Sequence, residues 1–444
     1  MHKDWKKLNE QYSADRKNFY EKVDNSRRLD EMFSKIPEDM QADEPLTEDE
    51  IRQINDFYEK YRFAYPNIDY KSFQTFKNRC GKFSVNHCPG AIRTEYFNKH
   101  FVDVYYSNPF QNKVMLDFLY PTINRPRTIV RRMNGIYYDI DYRPISLETA
   151  LKICGDYLEN KGDLILKINN TGGSAGVTVL KQGKGTASTL QELITKKWIV
   201  NAFVVQEMME QSDFMKAFNP TSVNTIRITT FLWKGKVIPL AALIRIGKKG
   251  NEVDNFSAGG SLLGVDMDTG KCFNWAMQKD NRKITKLPSG LDLESTDYYV
   301  PNFNLVKESV TTLHYRIPYI RLISWDIALD KNDVPTLIEC NFGGMIQIHE
   351  AITGPLFGDL MKELLDEYLA KRFFFKFATE DFVCKEFCDH IAIVEYIGES
   401  ENVVVPEKIY DKPVTVIEPT AFHGCKIANY SVPTRLMRQC ANAL

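Results

Sequence analysis

Apolar residues recur three and four positions apart along residues 46–62, which predicts a helix inside a charge-rich lead-in reaching about Tyr65. No chemistry is assigned to it. Between about Gly81 and Gly135 the pattern shifts to short apolar and aromatic runs cut by Asn-Pro, Tyr-Pro and Arg-Pro steps, which favour turns and extended chain, so the first strands are expected there. Ser146 is placed to cap a helix over residues 147–160, whose Leu147, Ala150, Leu151, Cys154 and Leu158 share one face. Strands are predicted over residues 163–168, 177–180, 203–207, 225–233 and 237–246, with a helix over 190–198 and a Lys234-Gly235-Lys236 turn joining the last two strands. Residues 325–329 and 336–340 flank a Lys331-Asn332-Asp333 turn and read as another hairpin, followed by a helix over about 356–371. Beyond Phe377 come short strands, prolines and a Gly-Cys step. Helices mixed with antiparallel hairpins predict an α+β fold rather than a doubly wound sheet. Four segments follow from this reading: a helical region 1–80, a main body in two parts, 81–202 and 203–376, and a β-rich tail 377–444.

Composition narrows the class. At 444 residues the chain exceeds one ordinary core, and 43% hydrophobic with 26% charged residues describes a folded globular protein. A net charge of -1 supplies no field for nucleic acid or an anionic membrane, which directs attention to small-molecule substrates. The amino-terminal stretch is too charged for a signal peptide, no window has the apolar length of a membrane span, and the nine scattered cysteines fit a reducing compartment. A cytoplasmic protein is expected.

Three features carry chemistry. Lys167 ends an apolar strand and runs directly into NNTGGSAG, where Gly172, Gly173 and Gly176 let backbone N–H groups approach an anion. A fixed lysine and a glycine loop suit a polyphosphate, although a tight hairpin turn needs the same glycines. In SWDIALDKNDVPTLIECN, Asp326 on one strand faces Glu339 and Asn341 on the next, a set of oxygen ligands suited to Mg²⁺ when phosphates complete its shell. Arg227 and Arg245 sit mid-strand among apolar neighbours, where guanidinium groups could stabilise a transferring phosphoryl group. Structural pairing with a carboxylate such as Asp254 or Glu339 is the alternative for Arg245.

With these pieces in order, the chain resembles the ATP-grasp superfamily, in particular its sugar-transfer-associated branch. The resemblance rests on ILKINNTGGSAG, VVQEMMEQ, NPTSVNTIRITT, EVDNFSAGG and WDIALDKNDVPTLIECN, within about residues 112–358. It implies two α+β subdomains gripping ATP, with residues 81–202 as the amino-terminal and lid part and 203–376 as the catalytic part. It also implies acyl-phosphate formation followed by attack of a nucleophile, with no covalent enzyme intermediate. By position, Lys167 and Lys113 would contact phosphates, with Asn112 standing where the family usually has Asp before that lysine. Gly172, Gly173 and Ser174 belong to the lid; Gln206, Glu207 and Met208 would line the adenine pocket; and Asp213 is a candidate for the ribose. Asp326, Glu339 and Asn341 take the magnesium role, Arg227 and Arg245 the catalytic role, and Asp254, Asn255, Gly259 and Gly260 form an acceptor loop. The tail, NVVVPEKIYDKPVTVIEPTAFHGCKIANYSVP, resembles BspA-like leucine-rich repeats and implies a cap or a protein contact.

The expected activity is ligation of a small-molecule carboxylate to an amine or a sugar-linked acceptor, with a cell-surface polysaccharide precursor as the family-associated target. Two other readings stay open: a phosphotransferase of the same fold, and a non-enzymatic nucleotide-binding or repeat-mediated adaptor. Loops 248–264 and 274–304 are the candidates for setting specificity.

Overall fold

The computed structural model describes residues 5–26, 31–169, 176–183, 202–248, 250, 256, 259–343, 345–372, 374–433 and 436. The chain divides into two compact units, one of Lys35–Ala42 and Lys99–Leu356, the other of Met1–Ser34, Asp43–Asn98 and Phe357–Leu444. The helical lead-in and the tail thus fall in one unit. Among the described residues no helix is long and apolar enough to cross a membrane.

The unit holding Lys99–Leu356 contains two antiparallel sheets. The first is built from β1 (Thr128–Met133), β2 (Ile136–Tyr138), β3 (Pro144–Ile145), β4 (Leu164–Ile168), β5 (Val177–Leu180) and β6 (Phe203–Glu207), in the order β3-β2-β1-β6-β4-β5. Helix Leu147–Asn160, capped by Ser146 as predicted, covers one face and buries Ala150, Cys154 and Leu158 against Leu164, Leu166, Phe203 and Val205. The predicted helix over residues 190–198 lies outside the described residues.

The second sheet is built from β7 (Thr225–Trp233), β8 (Lys236–Ile246), β9 (Ser261–Val265), β10 (Cys272–Gln278), β11 (Lys283–Ile284), β12 (Leu322–Leu329) and β13 (Pro335–Phe342), in the order β11-β10-β9-β8-β7-β12-β13. One face packs helix Phe303–His314 over Ile226, Ile228, Ile244, Trp325 and Ile327. A chain of polar groups is sealed inside this core. Trp325 Nε1 donates to Thr230 Oγ1 (2.8 Å), which lies 2.7 Å from His314 Nδ1, and His314 Nε2 lies 2.8 Å from the Ile320 carbonyl. A carbonyl only accepts, so Nε2 carries the proton and Nδ1 accepts from the threonine. Burial pushes the His314 pKa down to about 4, so the ring is neutral.

Two expectations need correction. The stretch 81–135 forms mainly short helical turns, among them Gly90–Ile92, Asn98–Phe101, Val104–Phe110 and Lys113–Met115, and strand structure starts only at β1. Its aromatic residues Tyr96, Phe97 and Phe101 are buried at helical spacing, and Asp103 and Asn112 cap two of the turns. The helix expected over 356–371 is shorter, Leu360–Leu365 with a wider turn Asp366–Ala370, because Gly354 and Gly358 adopt positive φ on either side of Pro355.

In the other unit, helix Glu48–Tyr58 starts at Thr47 with a reciprocal Thr47/Glu50 capping box. Strands β14 (Phe375–Ala378), β15 (Phe382–Glu386), β16 (Ile391–Tyr396), β17 (Asn402–Val404), β18 (Lys408–Ile409), β19 (Lys412–Ile417) and β20 (Asn429–Ser431) form a sheet β14-β15-β16-β19-β18 and a two-stranded ladder β17-β20. The amide of Asn9, on helix Trp5–Ser26, brackets the edge strand by accepting from Ala378 N and donating to Ala378 O, both at 2.9 Å.

The neutral His314 makes a signed prediction. Between about pH 6.5 and 4 the unfolded imidazole binds a proton that the folded one does not, so stability falls as pH drops through that window. Urea midpoints at pH 7.5 and 5 should differ less in His314→Gln than in the parent. An equal difference in the two proteins would contradict the assignment.

Candidate functional site

Cross-strand register assembles the charged residues. Asp326 on β12 lies opposite both Glu339 on β13 and Arg227 on β7, and Thr225 on β7 lies opposite Arg245 on β8. Side chains alternate between faces, so Arg245, Arg227, Asp326, Glu339 and Asn341 form a row across four adjacent strands, on the face opposite the Trp325 core.

The row is bonded throughout. Arg227 grips Asp326 in bidentate fashion, Nε to Oδ1 at 2.8 Å and Nη2 to Oδ2 at 2.7 Å, and Arg245 Nη1 adds a third contact to Oδ2 at 2.6 Å. The Asn341 amide donates to Asp326 Oδ2 and to Glu339 Oε1, both at 3.3 Å. Asp326 is 1% exposed. Burial alone would raise its pKa; the Arg227 and Arg245 charges override this and hold it at about 2. The alternative weighed for Arg245, a structural carboxylate partner, is thus met by Asp326 rather than by Glu339.

The first sheet contributes a second face. Lys167 pairs with Val204 and Ile165 with Gln206, so Lys167 and Gln206 share the side of this sheet turned away from helix Leu147–Asn160. Arg131, opposite Val204 on β1, is on that side too and donates to the Val114 carbonyl at 3.2 Å, holding the turn Lys113–Met115 there. Asn112 caps that turn by accepting from Val114 N at 3.0 Å. From this turn Lys113 reaches the other sheet, with Nζ 3.2 Å from Glu339 Oε2.

Other predicted residues are placed less centrally. Glu207 alternates to the helix-covered face, where its carboxylate accepts from Arg127 N (3.2 Å) and Tyr157 Oη (3.3 Å), leaving only its backbone toward the Lys167 side. Met208 N donates to the Asp163 carbonyl at 3.0 Å. The Asp213 side chain is fully exposed in the first turn of helix Asp213–Phe218, 3.4 Å from Lys216 Nζ. Gly259, at φ +94, and Gly260 lead into β9, whose Leu262 pairs with Arg245. Gly172, Gly173, Ser174, Asp254 and Asn255 lie outside the described residues.

Three residues of the site escaped sequence reading. His349, on helix Ile346–Thr353 that packs over β8 and β9, places Nε2 2.9 Å from Thr229 Oγ1, which is 2.7 Å from Ser324 Oγ. Its pKa is pushed down to about 3 by burial and then by the Arg227 charge, against an opposing pull from Asp326. A histidine on an apolar helix and hydroxyls inside strands give no distinguishing signal before the pairing is known.

The residues that could hold a cation are Glu339, Asn341 and Asp326. The Asn341 NH₂ donates to both carboxylates, so its carbonyl oxygen is the end left to serve as a ligand, and Glu339 is partly exposed. Among the described residues Asp326 Oδ1 accepts one hydrogen bond, from Arg227 Nε, and a carboxylate oxygen has a further lone pair to offer. The donor set is all oxygen, as magnesium requires.

The unit thus carries Lys167 on its first sheet, the arginine–carboxylate row on its second, and Lys113 on a turn that reaches that row. Residues 122–355 match the sequence model of the sugar-transfer associated ATP-grasp family, and the chain belongs to that family. No curated protein matches the sequence significantly. Among solved structures, similar ones include D-alanyl-alanine synthetase A from Vibrio cholerae O1 biovar eltor (13% identity, 58% of this chain and 63% of that one, TM-score 0.34). Others are D-alanine–D-alanine ligase from Bacillus anthracis complexed with ATP (14%, 58% and 64%, TM-score 0.32) and L-amino acid ligase from Bacillus licheniformis (14%, 52% and 43%, TM-score 0.27). The chain spans less than two thirds of the length of each.

Removing the central carboxylate isolates its contribution. Asp326→Asn leaves two guanidinium groups facing each other in a buried site and should lower the unfolding free energy by about 3–5 kcal/mol at pH 7, read from urea denaturation. Because the folded pKa lies below the unfolded one, the parent should lose this advantage as pH falls from about 4 through 2. An unchanged midpoint at pH 7 would show that the row is not held by this carboxylate.

Proposed function

We propose that the protein is an ATP-dependent ligase that activates a small-molecule carboxylate as an acyl phosphate and passes it to an amine or hydroxyl of a second substrate. The observation that carries this reading is the row Arg245–Arg227–Asp326–Glu339/Asn341, with Lys113 reaching it from the other sheet. It concentrates three cationic side chains and a set of cation ligands on one face, which is the requirement for moving a phosphoryl group between two anions.

In this reading Lys167 and Lys113 bind phosphate oxygens, the glycine loop with Gly172, Gly173 and Ser174 closes over them, and Gln206 with the backbone of Glu207 and Met208 meets the adenine. Asp213 is the candidate for the ribose. Glu339, Asn341 and the spare acceptor capacity of Asp326 would hold Mg²⁺, which supplies charge neutralisation on the phosphate oxygens when bound. Arg227 and Arg245, immobilised by Asp326, present N–H groups where negative charge builds on the transferring phosphoryl group. That rigidity matters, since a preorganised guanidinium costs no reorganisation during transfer. Asp254, Asn255, Gly259 and Gly260 are the proposed acceptor loop; of these, Gly259 and Gly260 lead into β9, whose Leu262 pairs with Arg245.

Family membership supports a sugar-linked acceptor, such as a cell-surface polysaccharide precursor, as the second substrate. The tail is proposed to be a short repeat-like coil that caps its unit or contacts another protein. Its ladders support this: β16 pairs in parallel with β19, and β17 with β20, as successive turns of a coil would.

The test is product analysis. Purified protein with ATP and Mg²⁺, screened against amino acids and sugar-nucleotide acceptors, should release ADP and phosphate only when both substrates are present. Lys167→Ala and Glu339→Ala should each lower kcat by on the order of 100-fold. A stable phosphorylated acceptor would indicate a phosphotransferase instead, and turnover unaffected by both substitutions would overturn the site.

A further inference from the structure

Lys113, on the turn Lys113–Met115, and Glu339, on β13, sit far apart in the sequence, yet their charged ends lie 3.2 Å apart with side chains only 15% and 26% exposed. The lysine is carried to that point by a stiff base. Its own N–H donates to Asn169 Oδ1 at 3.1 Å, Asn169 N donates to the Ala202 carbonyl, and the same turn is held by Arg131 through Val114 O. Asn169 follows β4 directly and opens the segment that contains the glycine loop. Meanwhile Glu339 Oε1 accepts from Asn341, and the ammonium group takes the other oxygen, Oε2.

We infer that Lys113 is a stand-in cation, which occupies the divalent-cation position on Glu339 until a polyphosphate draws it away. The inference rests on the proposed Mg²⁺–nucleotide site and deepens it by assigning an order to binding. A divalent cation bonds a carboxylate oxygen at about 2.0–2.1 Å, and an ammonium hydrogen-bonded to the same oxygen would stand within a few ångströms of it, so the two compete. Phosphate oxygens offer the lysine a second anionic partner, and the anchored backbone means that only the side chain has to swing. Metal binding without nucleotide is thereby opposed, and metal and nucleotide binding favour each other. The same contact ties the first sheet to the second before any ligand arrives.

The experiment is Mn²⁺ binding, followed by electron paramagnetic resonance, in the full chain with and without ADP. Lys113→Met and Lys113→Gln, each checked for folding by circular dichroism, should bind Mn²⁺ without nucleotide on the order of tenfold more tightly than the parent. Both should also lose most of the gain that ADP gives the parent. If the parent binds Mn²⁺ with ADP while neither variant binds it more tightly without ADP, the stand-in role is overturned and the site reading survives. If neither parent nor variants bind Mn²⁺ with or without ADP, the site reading fails and takes this inference with it.

Discussion

A carboxylate 1% exposed in the middle of a sheet is tolerable only where cations and amide donors meet it, and Asp326 is met by Arg227, Arg245 and Asn341 together. Everything on this face depends on that arrangement. Without the carboxylate, two guanidinium groups on neighbouring strands would repel each other; without the arginines, burial would drive the acid to its neutral form. The sheet supplies the geometry at little conformational cost, because alternation and register put all five side chains on one side while the other side packs Trp325, Ile226 and Ile244.

The same logic extends outward. His349 and His314 are both held neutral, His314 by burial in the core and His349 by burial together with the nearby Arg227 charge, so His349 adds no positive charge beside the arginine row. Lys113 connects the row to the Lys167 side of the first sheet through Asn169 and Arg131, which makes the two sheets parts of one electrostatic device. The family match spans residues 122–355, a range that includes Lys167, both arginines and the three cation-ligand candidates.

Much of this was legible in the sequence, for identifiable reasons. Helix 147–160 announced itself by a capping serine and an apolar stripe, and the hairpins by alternation around Lys234-Gly235 and Lys331-Asn332-Asp333, because these signals are local. The stretch 81–135 was misjudged because its prolines suggested extended chain, whereas burial of Tyr96, Phe97 and Phe101 favoured helical turns. Asp326, Glu339 and Asn341 could be singled out by hairpin spacing. Which arginine would clasp Asp326, and that Lys113 would reach Glu339, depend on how distant strands align. That the Glu207 side chain takes the face opposite Gln206 follows from strand alternation alone, so only its backbone can share the Gln206 side.

The central claim is that this row of charges is a nucleotide-and-magnesium site. Calorimetric titration of the full chain with ADP in the presence of Mg²⁺, beside Glu339→Gln, tests it most directly. The account predicts saturable binding of one nucleotide per chain that weakens by at least on the order of tenfold in the variant, with binding heat that depends on Mg²⁺. No binding to the parent, or equal affinity in both proteins, would contradict it.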